Sequence, residues 1–396
     1  MASLKNDFHK YVAQVTDFDL MQIEPERAEG IYIYDTQGKK YIDFISGICV
    51  NNLGHRHPAV IDAIEKQLKK YLHIMVYGEY VQSPQIKLAK AFAENLPPSL
   101  NCTFFVNSGS EAIEGAMKLA KLVNHRSEIV AFKNSYHGST LGAVSLYSDE
   151  QFKNPFRPLL PDVRFLTYND VNELKNITTK TCCLVAEPIQ AGAGMKIPTT
   201  EFMQALRNRC TETGTLLILD EIQSGFGRTG KLFAFEHYEI VPDVICVAKG
   251  MGGGMPLGAF IASRELMNYL DNGHPLIGHA TTFGGHPVSC AAALASLQFI
   301  TENRLFDLVD EKVKLFTSLL TSKKIKGIRG LGFMMAVELE SAENVEKVVS
   351  RCIENGLIIN WFLFNNTSLN IAPPLIISNG EITEAAKILN NCINQL

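Results

Sequence analysis

The chain has 396 residues, of which 46% are hydrophobic and 20% charged, and its formal net charge at pH 7 is −4. This composition is typical of a globular protein with a sizeable core and enough chain for two or three domains. The acidic balance, with no Lys/Arg-rich block, argues against a nucleic-acid partner. Without a long apolar run or a signal-type N-terminus, we expect no membrane association and a cytoplasmic protein with nine reduced cysteines.

The first predicted elements are a β-hairpin and two helices. Strand-like runs at 31–35 and 40–44 flank Thr36-Gln37-Gly38, which predicts the hairpin. Pro58 stands at the favoured first position of a helix whose apolar face runs to Leu68 and Leu72. A second helix is predicted at 85–96, before two prolines.

Strands and helices then alternate along the chain. Strands are predicted at 103–106, 129–132, 163–167, 182–186, 216–219, 244–248 and 257–262, with helices at 111–123 and 201–212. Alternation of this kind predicts an α/β domain with a mostly parallel, doubly wound sheet. The runs at 216–219 and 244–248 contain no polar residue, so we expect both strands to be buried on two faces.

The pattern changes after residue 285. Helices are predicted at 287–300, 305–320 and 342–355, a strand pair within 328–339, and a last helix that begins at a capping box of Ser378 and Glu381. These elements predict a smaller α+β domain. We therefore divide the chain into an N-terminal segment, 1–50, that contributes to the small domain, a large domain, 51–285, and a C-terminal small domain, 286–396.

The first charged residues after the two most apolar strands are Asp220 and Lys249. Ligands of such sheets bind outside the carboxyl ends of the strands. An acid and an amine at this edge suit pyridoxal phosphate (PLP), whose aldehyde bonds to a lysine and whose ring nitrogen needs a carboxylate. A helix-capping Asp and a solvated Lys would give the same pattern. A metal site at Asp220-Glu221 is disfavoured because no His lies at ligand spacing.

Three further motifs have both functional and ordinary interpretations. Gly109 and Ser110 lie where a strand turns into a helix, which suits a phosphate or a plain helix cap. Tyr136 follows a strand, and its ring suits either a flat cofactor or surface packing. The sequence GFGRTGK at 225–231 has the spacing of a nucleotide-binding P-loop, but Leu232 stands where that loop needs a hydroxyl residue, so we reject a P-loop. No G-x-G-x-x-G fingerprint follows a strand, so a nicotinamide cofactor lacks its main sequence support.

Six motifs in the same order resemble one family, the class III (ω-type) aminotransferases, which are PLP enzymes of fold type I. The motifs are NNLGHRHP (51–58), NSGSEAIEGAMKLAK (107–121), AEPIQAGAG (186–194), LILDEIQSGFGRTG (217–230), AKGMGGGMPLGA (248–259) and TTFGGHPVSCAAALA (281–295). The acetylornithine/ornithine aminotransferase branch is the most similar. The resemblance runs from about residue 31 to the C-terminal helix.

This resemblance implies roles for residues that surround the cofactor ring. Lys249 would form the Schiff base and move the proton, so Lys249 and Asp220 are the expected catalytic residues. Asp220 would also pair with the ring nitrogen. Gln223 would contact the ring hydroxyl, and Tyr136 would stack on the ring. Glu187 matches a family acid beside the substrate channel and is counted among the cofactor-binding residues.

The resemblance also implies a homodimer with shared active sites. Gly109 and Ser110 would hold the cofactor phosphate, and Thr282 would reach it from the neighbouring subunit. Thr281 is assigned to the substrate together with Ser139 and Asn370. Ser139 and Asn370 stand where the acetylornithine/ornithine branch has carboxylate-binding arginines, and an uncharged side chain cannot replace that permanently charged fork.

We therefore expect a PLP-dependent transaminase with an amino acid or an ω-amine as donor and a 2-oxo acid such as 2-oxoglutarate as acceptor. Because the two arginines are missing, the alternatives are another donor or acceptor, such as an amine or pyruvate, or a related aminomutase or decarboxylating enzyme. Lys196 and Arg329 are candidates for a replacement cation. A protein that binds PLP without turnover is disfavoured because Lys249, Asp220 and Gln223 are all present.

Overall fold

The computed structural model describes residues 4–15, 23–271 and 279–396. The strands of this part are β1 Pro25–Glu29, β2 Tyr32–Asp35, β3 Lys40–Asp43, β4 Cys102–Val106, β5 Glu128–Phe132, β6 Val163–Leu166, β7 Thr181–Ala186, β8 Leu216–Asp220, β9 Val244–Val247, β10 Gly258–Ala262, β11 Gly327–Leu331, β12 Met334–Glu338, β13 Leu357–Ile358, β14 Asn360–Trp361 and β15 Ser368–Ile371.

The helical segments lie mainly between these strands. They are α1 Leu4–Tyr11, α2 Ser46–Cys49, α3 Pro58–Leu68, α4 Ser83–Asn95, α5 Gly109–Asn124, α6 Leu141–Ser145, α7 Glu150–Lys153, α8 Thr200–Thr213, α9 Arg264–Asp271, α10 Pro287–Glu302, α11 Val309–Leu319, α12 Ala342–Glu354 and α13 Asn379–Asn394. Short 3₁₀ turns occupy Asn154–Phe156, Val171–Asn176, Ala234–Tyr238, Lys249–Gly252 and Leu305–Leu308.

The main sheet has seven strands in the order β4-β10-β9-β8-β7-β5-β6. The pairs from β9 to β6 are parallel, whereas β10 is antiparallel to both β4 and β9. Strands β7 and β9 are buried along their whole length, and β8 is buried from Leu217 onwards. The predicted α/β class with a mostly parallel sheet is confirmed, and the two strands that end near Asp220 and Lys249 are neighbours.

Two four-stranded sheets make up much of the rest. One has the order β1-β2-β3-β13 and the other the order β11-β12-β15-β14. In the first, the N-terminal hairpin meets the C-terminal part of the chain through the parallel pairing of Ile42 with Leu357. This pairing agrees with the expected contribution of residues 1–50 to the small domain, while the domain boundaries themselves stay a prediction.

The apolar face predicted for α3 is only partly buried. Val60 is buried, but the helix ends at Leu68, which is 47% exposed, and Leu72 beyond the helix is 59% exposed. The prediction that this face continues to Leu72 is therefore wrong for the isolated chain. Helical periodicity predicts that these side chains lie on one side of the helix. It does not predict how far along that side other parts of the protein cover them.

The one-turn segment α2 has an unusual backbone. All four of its residues have positive φ, with 50° at Ser46, 59° at Gly47, 62° at Ile48 and 63° at Cys49. Left-handed backbone costs a residue other than glycine roughly 1–2 kcal/mol. Asp43 stabilises the entry, because its Oδ1 accepts from the backbone N–H groups of residues 45 and 46 at 3.1 and 2.8 Å. The Ser46 hydroxyl also donates to the carbonyl oxygen of Ala372 at 2.7 Å.

Candidate active site

A cavity of about 750 Å³ lies at the carboxyl ends of the parallel strands. We define two of its walls by the residues that line them. The strand-end wall consists of Glu187, Asp220, Gln223 and Lys249, which follow or end strands of the main sheet. The small-sheet wall consists of Asn360, Trp361, Phe362 and Asn370, at β14 and β15. The cavity thus lies where the main sheet faces one of the smaller sheets.

Asp220 is the last residue of β8 and is buried. Its Oδ2 accepts a hydrogen bond from Nδ1 of His137 at 2.7 Å, and its Oδ1 accepts from the backbone N–H of Ile222 at 3.1 Å. Because a carboxylate only accepts, the ring nitrogen of His137 that faces it carries the proton. The carboxylate is therefore held in one orientation at the edge of the sheet.

Lys249 begins the 3₁₀ turn that follows β9 and has a left-handed backbone, with φ at +47°. Its Nζ donates to Oε1 of Gln223 at 3.2 Å. Nε2 of Gln223 in turn lies 3.7 Å from the sulfur of Cys49. Strained backbone at a residue other than glycine is concentrated at functional sites, because surrounding structure must hold it there. The conformation turns the lysine side chain from the strand end into the cavity.

Glu187 follows the carboxyl end of β7 and is also buried. Its two carboxylate oxygens accept from the backbone N–H groups of Tyr136 and Ala191, each at 3.1 Å. Burial raises the pKa of Glu187 to about 7, although these two hydrogen bonds and nearby His137 oppose that rise. The cavity therefore contains an acid that changes its charge near neutral pH.

Gly109 and Ser110 form the first turn of α5 and line the cavity. The backbone N–H groups of a helix's first turn lack partners within the helix, so they suit an anion. The Ser110 hydroxyl accepts from the backbone N–H of Ser139 at 3.1 Å. Gly138, with φ at +118°, allows this approach, since a Cβ there would lie 2.0 Å from the Ser110 oxygen.

Tyr136 and Ser139 lie together at this side of the cavity. The Tyr136 ring lines the cavity and is 37% exposed, and its hydroxyl lies 3.2 Å from the Ser139 hydroxyl. Ser139 itself is exposed and does not line the cavity in the part of the chain that the structure describes. Its interaction with a substrate stays a prediction.

Asn370 lies on β15 directly opposite Asn360 on β14. Its side-chain amide donates to Oδ1 of Asn360 at 2.9 Å, and only 4% of Asn370 is exposed. Both residues line the cavity. The small-sheet wall therefore presents a cross-strand pair of uncharged amides where the sequence analysis expected a substrate contact.

These groups fit a PLP cofactor. The cofactor needs an amine for its aldehyde, an anion for its ring nitrogen and N–H groups for its phosphate. The cavity has Lys249, the anchored carboxylate of Asp220, and the first turn of α5. One cavity therefore contains groups for the aldehyde, the ring nitrogen and the phosphate of the cofactor, which is a more specific match than any one of these contacts alone.

The family model for "Aminotransferase class-III" matches residues 13–393. The chain belongs to the class-III aminotransferases. It is therefore a PLP-dependent transaminase, and its α/β architecture is PLP fold type I. Within the described residues, no helix of this class-III aminotransferase is long and apolar enough to cross a membrane.

Relatives of this aminotransferase match along nearly the whole chain. An acetylornithine aminotransferase of Methanopyrus kandleri is 39% identical, and the match covers 90% of each chain. A [LysW]-aminoadipate semialdehyde/glutamate semialdehyde transaminase of Sulfolobus acidocaldarius is 33% identical over 92% of each. The solved ornithine aminotransferase of Toxoplasma gondii ME49 has a TM-score of 0.91 at 27% identity, covering 98% of this chain and 94% of that one.

Two predicted site residues of the aminotransferase lie away from the cavity of their own chain. The Thr281 hydroxyl accepts from the Asn107 side chain at 2.6 Å. Thr282 is exposed, with its hydroxyl 3.4 Å from that of Tyr77. Neither threonine lines the cavity among the described residues. The role of Thr282 toward a neighbouring subunit stays a prediction, and Thr281 contacts the turn before α5.

The two candidate replacement cations are used elsewhere or lie outside the cavity of the aminotransferase. Arg329 donates to the Gly194 carbonyl at 2.6 Å, to Glu338 at 2.7 Å and to the Ser368 hydroxyl at 2.9 Å. Lys196 is exposed on the segment after Glu187. Neither lines the described cavity, so neither takes the place of the missing arginines in this conformation.

Two residues of the cavity, His137 and Asn360, have no role in the predictions made from the sequence. His137 lies in the same short segment as Tyr136, but its partner Asp220 is 83 positions further along the chain. Strand order decides that pairing, and the order β8-β7-β5 is not readable from the sequence. Asn360 was missed because β14 has only two residues, too few for a periodic signal.

Proposed function

We propose that Lys249 and Asp220 are the catalytic residues of this transaminase. The observation that carries the proposal is their convergence on one cavity from adjacent parallel strands, in which Asp220 on β8 pairs with Cys246 on β9. One residue supplies the only primary amine that lines the described cavity, and the other supplies an anchored carboxylate. A transaminase needs both groups.

When bound, PLP supplies an aldehyde that bonds to amines and a protonated ring that withdraws electrons from the reacting carbon. Lys249 carries the cofactor between turnovers, and its amine then moves the proton at the substrate carbon. Gln223 orients Lys249 through the 3.2 Å hydrogen bond. The left-handed backbone at Lys249 fixes where the side chain leaves the strand end.

Asp220 keeps the ring nitrogen protonated, and His137 keeps Asp220 in position for that contact. Tyr136 would supply a ring face to stack on the cofactor, and Gln223 would contact the cofactor's ring hydroxyl. Glu187 lines the same cavity as Asp220. Because its pKa is raised to about 7 by burial, it is partly uncharged at neutral pH and does not strongly repel the carboxylate of Asp220.

Gly109 and Ser110 bind the cofactor phosphate with the first turn of α5. We also infer that the enzyme is a homodimer in which Thr282 of the partner subunit completes this phosphate site. The exposure of Thr282 and its position outside its own cavity support the inference. A monomer in analytical ultracentrifugation of the PLP-loaded enzyme would contradict it.

The proposed reaction moves an amino group from an amino acid or an ω-amine to a 2-oxo acid. The names of the relatives support this class, because they include acetylornithine and ornithine aminotransferases. All nine cysteines are free thiols, which supports placement in the cytoplasm, where thiols stay reduced.

Peptide mapping after borohydride reduction tests the function. The PLP-loaded enzyme is expected to be yellow, and reduction is expected to attach the cofactor to the peptide that contains Lys249. Lys249→Ala should abolish both the label and turnover. Lys196→Ala removes an exposed lysine and is the matched control, which should keep both. Labelling of another lysine in the native enzyme would overturn the assignment.

A further inference from the structure

The cavity has an uneven distribution of charge. Among the described residues that line it, the charged ones are Glu187, Asp220 and Lys249, all on the strand-end wall. No arginine lines it in that part of the chain, and the remaining segments, 1–3, 16–22 and 272–278, contain neither Lys nor Arg. Since Lys249 is reserved for the cofactor, none of the described residues that line the cavity offers a Lys or Arg cation to a carboxylate of the amino donor.

The arginines near the cavity are engaged in the fold. Arg228 is fully buried and donates to the side-chain oxygen of Asn52 and to the carbonyl oxygen of Pro373. Arg329 makes the three hydrogen bonds described above. Releasing Arg228 toward a substrate would leave buried acceptors unpaired, which costs about 1–3 kcal/mol for each group. Releasing Arg329 would break its ion pair with Glu338 and its two other hydrogen bonds. Neither is available without rearrangement.

The residues that complete the cavity are mostly apolar or neutral. Trp361 and Phe362 belong to the small-sheet wall, and Ile48, Val50 and Ile189 line the cavity as well. One cross-strand hydrogen bond joins Asn360 and Asn370, and within the described residues Oδ1 of Asn370 is buried without a hydrogen-bond partner, so this wall adds an acceptor and no cation. Transfer of a carboxylate from water to such surroundings is unfavourable unless a cation compensates, whereas transfer of a hydrocarbon group is favourable.

Ile48 is held in the cavity against its backbone preference. A β-branched residue with positive φ is a genuine outlier, yet Ile48 has φ at +62° and its side chain lines the cavity. The hydrogen bonds of Asp43 and Ser46 maintain this turn. Asn or Gly would fit the left-handed backbone with less strain. The conformational cost of an isoleucine at this position is therefore consistent with a function of its apolar side chain.

We propose that the amino donor of this transaminase is a primary amine whose far end is uncharged and largely apolar, and that Ile48 and Asn370 determine this preference. The proposal rests on the transaminase function through Lys249. In the half-reaction the donor is oxidised from amine to aldehyde, while its amino group passes to the cofactor aldehyde, which is reduced to an amine. Water supplies the oxygen of the donor's new carbonyl group and Lys249 is released as a free amine, so the two-electron exchange between donor and cofactor needs no other oxidant or reductant.

Three donors of equal size test the preference. In 4-methylpentan-1-amine, 4-aminobutanamide and 4-aminobutanoate the same four-atom amine stem ends in an isopropyl, an amide or a carboxylate group. Single-turnover spectra of the PLP-loaded enzyme give the conversion rate and the dissociation constant for each. We expect the apolar donor to exceed the carboxylate in rate over dissociation constant by on the order of tenfold or more, since burial of an unpaired charge is disfavoured.

Two variants connect the preference to the named residues. Asn370→Arg should raise the efficiency of 4-aminobutanoate and leave 4-methylpentan-1-amine little changed. Ile48→Asn should lower the preference for the apolar donor while thermal stability is kept or increased, because Asn tolerates the left-handed backbone. A merely structural role of Ile48 would not change the ratio between donors. Ile328→Asn, at an exposed isoleucine on β11 outside the cavity, is the matched control and should not change it either.

Two outcomes would overturn the preference. The first is a ratio of conversion rate to dissociation constant for 4-aminobutanoate that equals or exceeds the ratio for 4-methylpentan-1-amine. This result is expected if a partner subunit supplies a cation. The second is no conversion by either uncharged donor while an amino acid such as glutamate converts the cofactor. In both cases the borohydride label at Lys249 and the spectral conversion still establish the transaminase. Loss of the label together with no conversion by any amine is the separate failure of the proposed function.

Discussion

The two walls of the cavity differ in their charge and in the hydrogen-bond partners of their polar groups. The strand-end wall carries all the side-chain charges, and each charged group has a partner: His137 for Asp220, Gln223 for Lys249 and two backbone N–H groups for Glu187. The small-sheet wall has no charged residue; one hydrogen bond joins its two asparagines, and among the described residues Oδ1 of Asn370 is buried without a partner. The difference indicates that the chemistry is fixed by the main sheet, while the substrate is chosen by a separate sheet that can vary without disturbing it.

The largest expected effect is on the strand-end wall, at Asp220. Asp220→Asn should lower kcat by about a hundredfold, on the order of 2.7 kcal/mol or more, because an amide cannot hold the proton on the ring nitrogen. Steady-state kinetics with circular dichroism as a folding control measure this. A near-native kcat would show that the charge of Asp220 is not needed for the chemistry. It would then contradict the assignment of catalysis to the strand-end wall and of substrate choice to the small-sheet wall.

A smaller effect is expected one step further from the cofactor. His137→Leu removes the 2.7 Å hydrogen bond to Asp220, and a hydrogen bond to a charged group is worth roughly 1.5–3 kcal/mol, so kcat should fall by about tenfold or more. The KM of the donor should change less than kcat, because His137 acts through its hydrogen bond to Asp220. His137→Asn keeps a donor near Nδ1 and should recover part of the rate. Equal defects in the two variants would argue against a positioning role.

The smallest effect concerns Glu221, the neighbour of Asp220 that faces away from the chemistry. Glu221 is fully buried, accepts from the Ser224 hydroxyl and from the backbone N–H of Phe235, and burial raises its pKa to about 7. The folded state therefore holds this proton more tightly than the unfolded state does. Its contribution to stability is present below pH 4.5 and is lost as the pH rises to about 7.

Glu221→Gln should accordingly raise the melting temperature at pH 8 relative to that at pH 5. It removes one of two buried acids, the other being Glu187, whose raised pKa lowers stability as the pH rises. Differential scanning calorimetry measures it, and Glu94→Gln, at an exposed acid, should leave the pH dependence unchanged. An unchanged slope in Glu221→Gln would mean that other groups determine the pH dependence.

Much of the strand-end wall could be predicted from the sequence. The apolar runs that end in Asp220 and Lys249 are long enough and free enough of polar residues to predict two buried strands, and parallel strands bring their carboxyl ends to one edge. Glu187 and Gly109 follow strands of the same sheet, so the same rule brings them close. The cofactor side of the site thus depends on local patterns plus one topological rule.

The small-sheet wall was less predictable for a physical reason. Asn370 was identified only as a departure from a family pattern, and its partner Asn360 lies on a two-residue strand. The left-handed turn at Ile48 has no sequence signal, since Gly47 is the only residue there that favours positive φ. Such features depend on hydrogen bonds to distant residues, as in the contact of Ser46 with Ala372.

That last hydrogen bond has an evolutionary consequence. It joins the turn that contains Ile48 to Ala372, two residues beyond Asn370. A backbone shift at one of the two positions is therefore transmitted to the other. Substitutions at linked positions commonly show interaction energies of about 0.5–3 kcal/mol. A new substrate range would then arise through epistatic pairs of changes, in which the benefit of a cation at 370 depends on the residue already at 48. Relatives with different substrates would differ at both positions together more often than at either one alone.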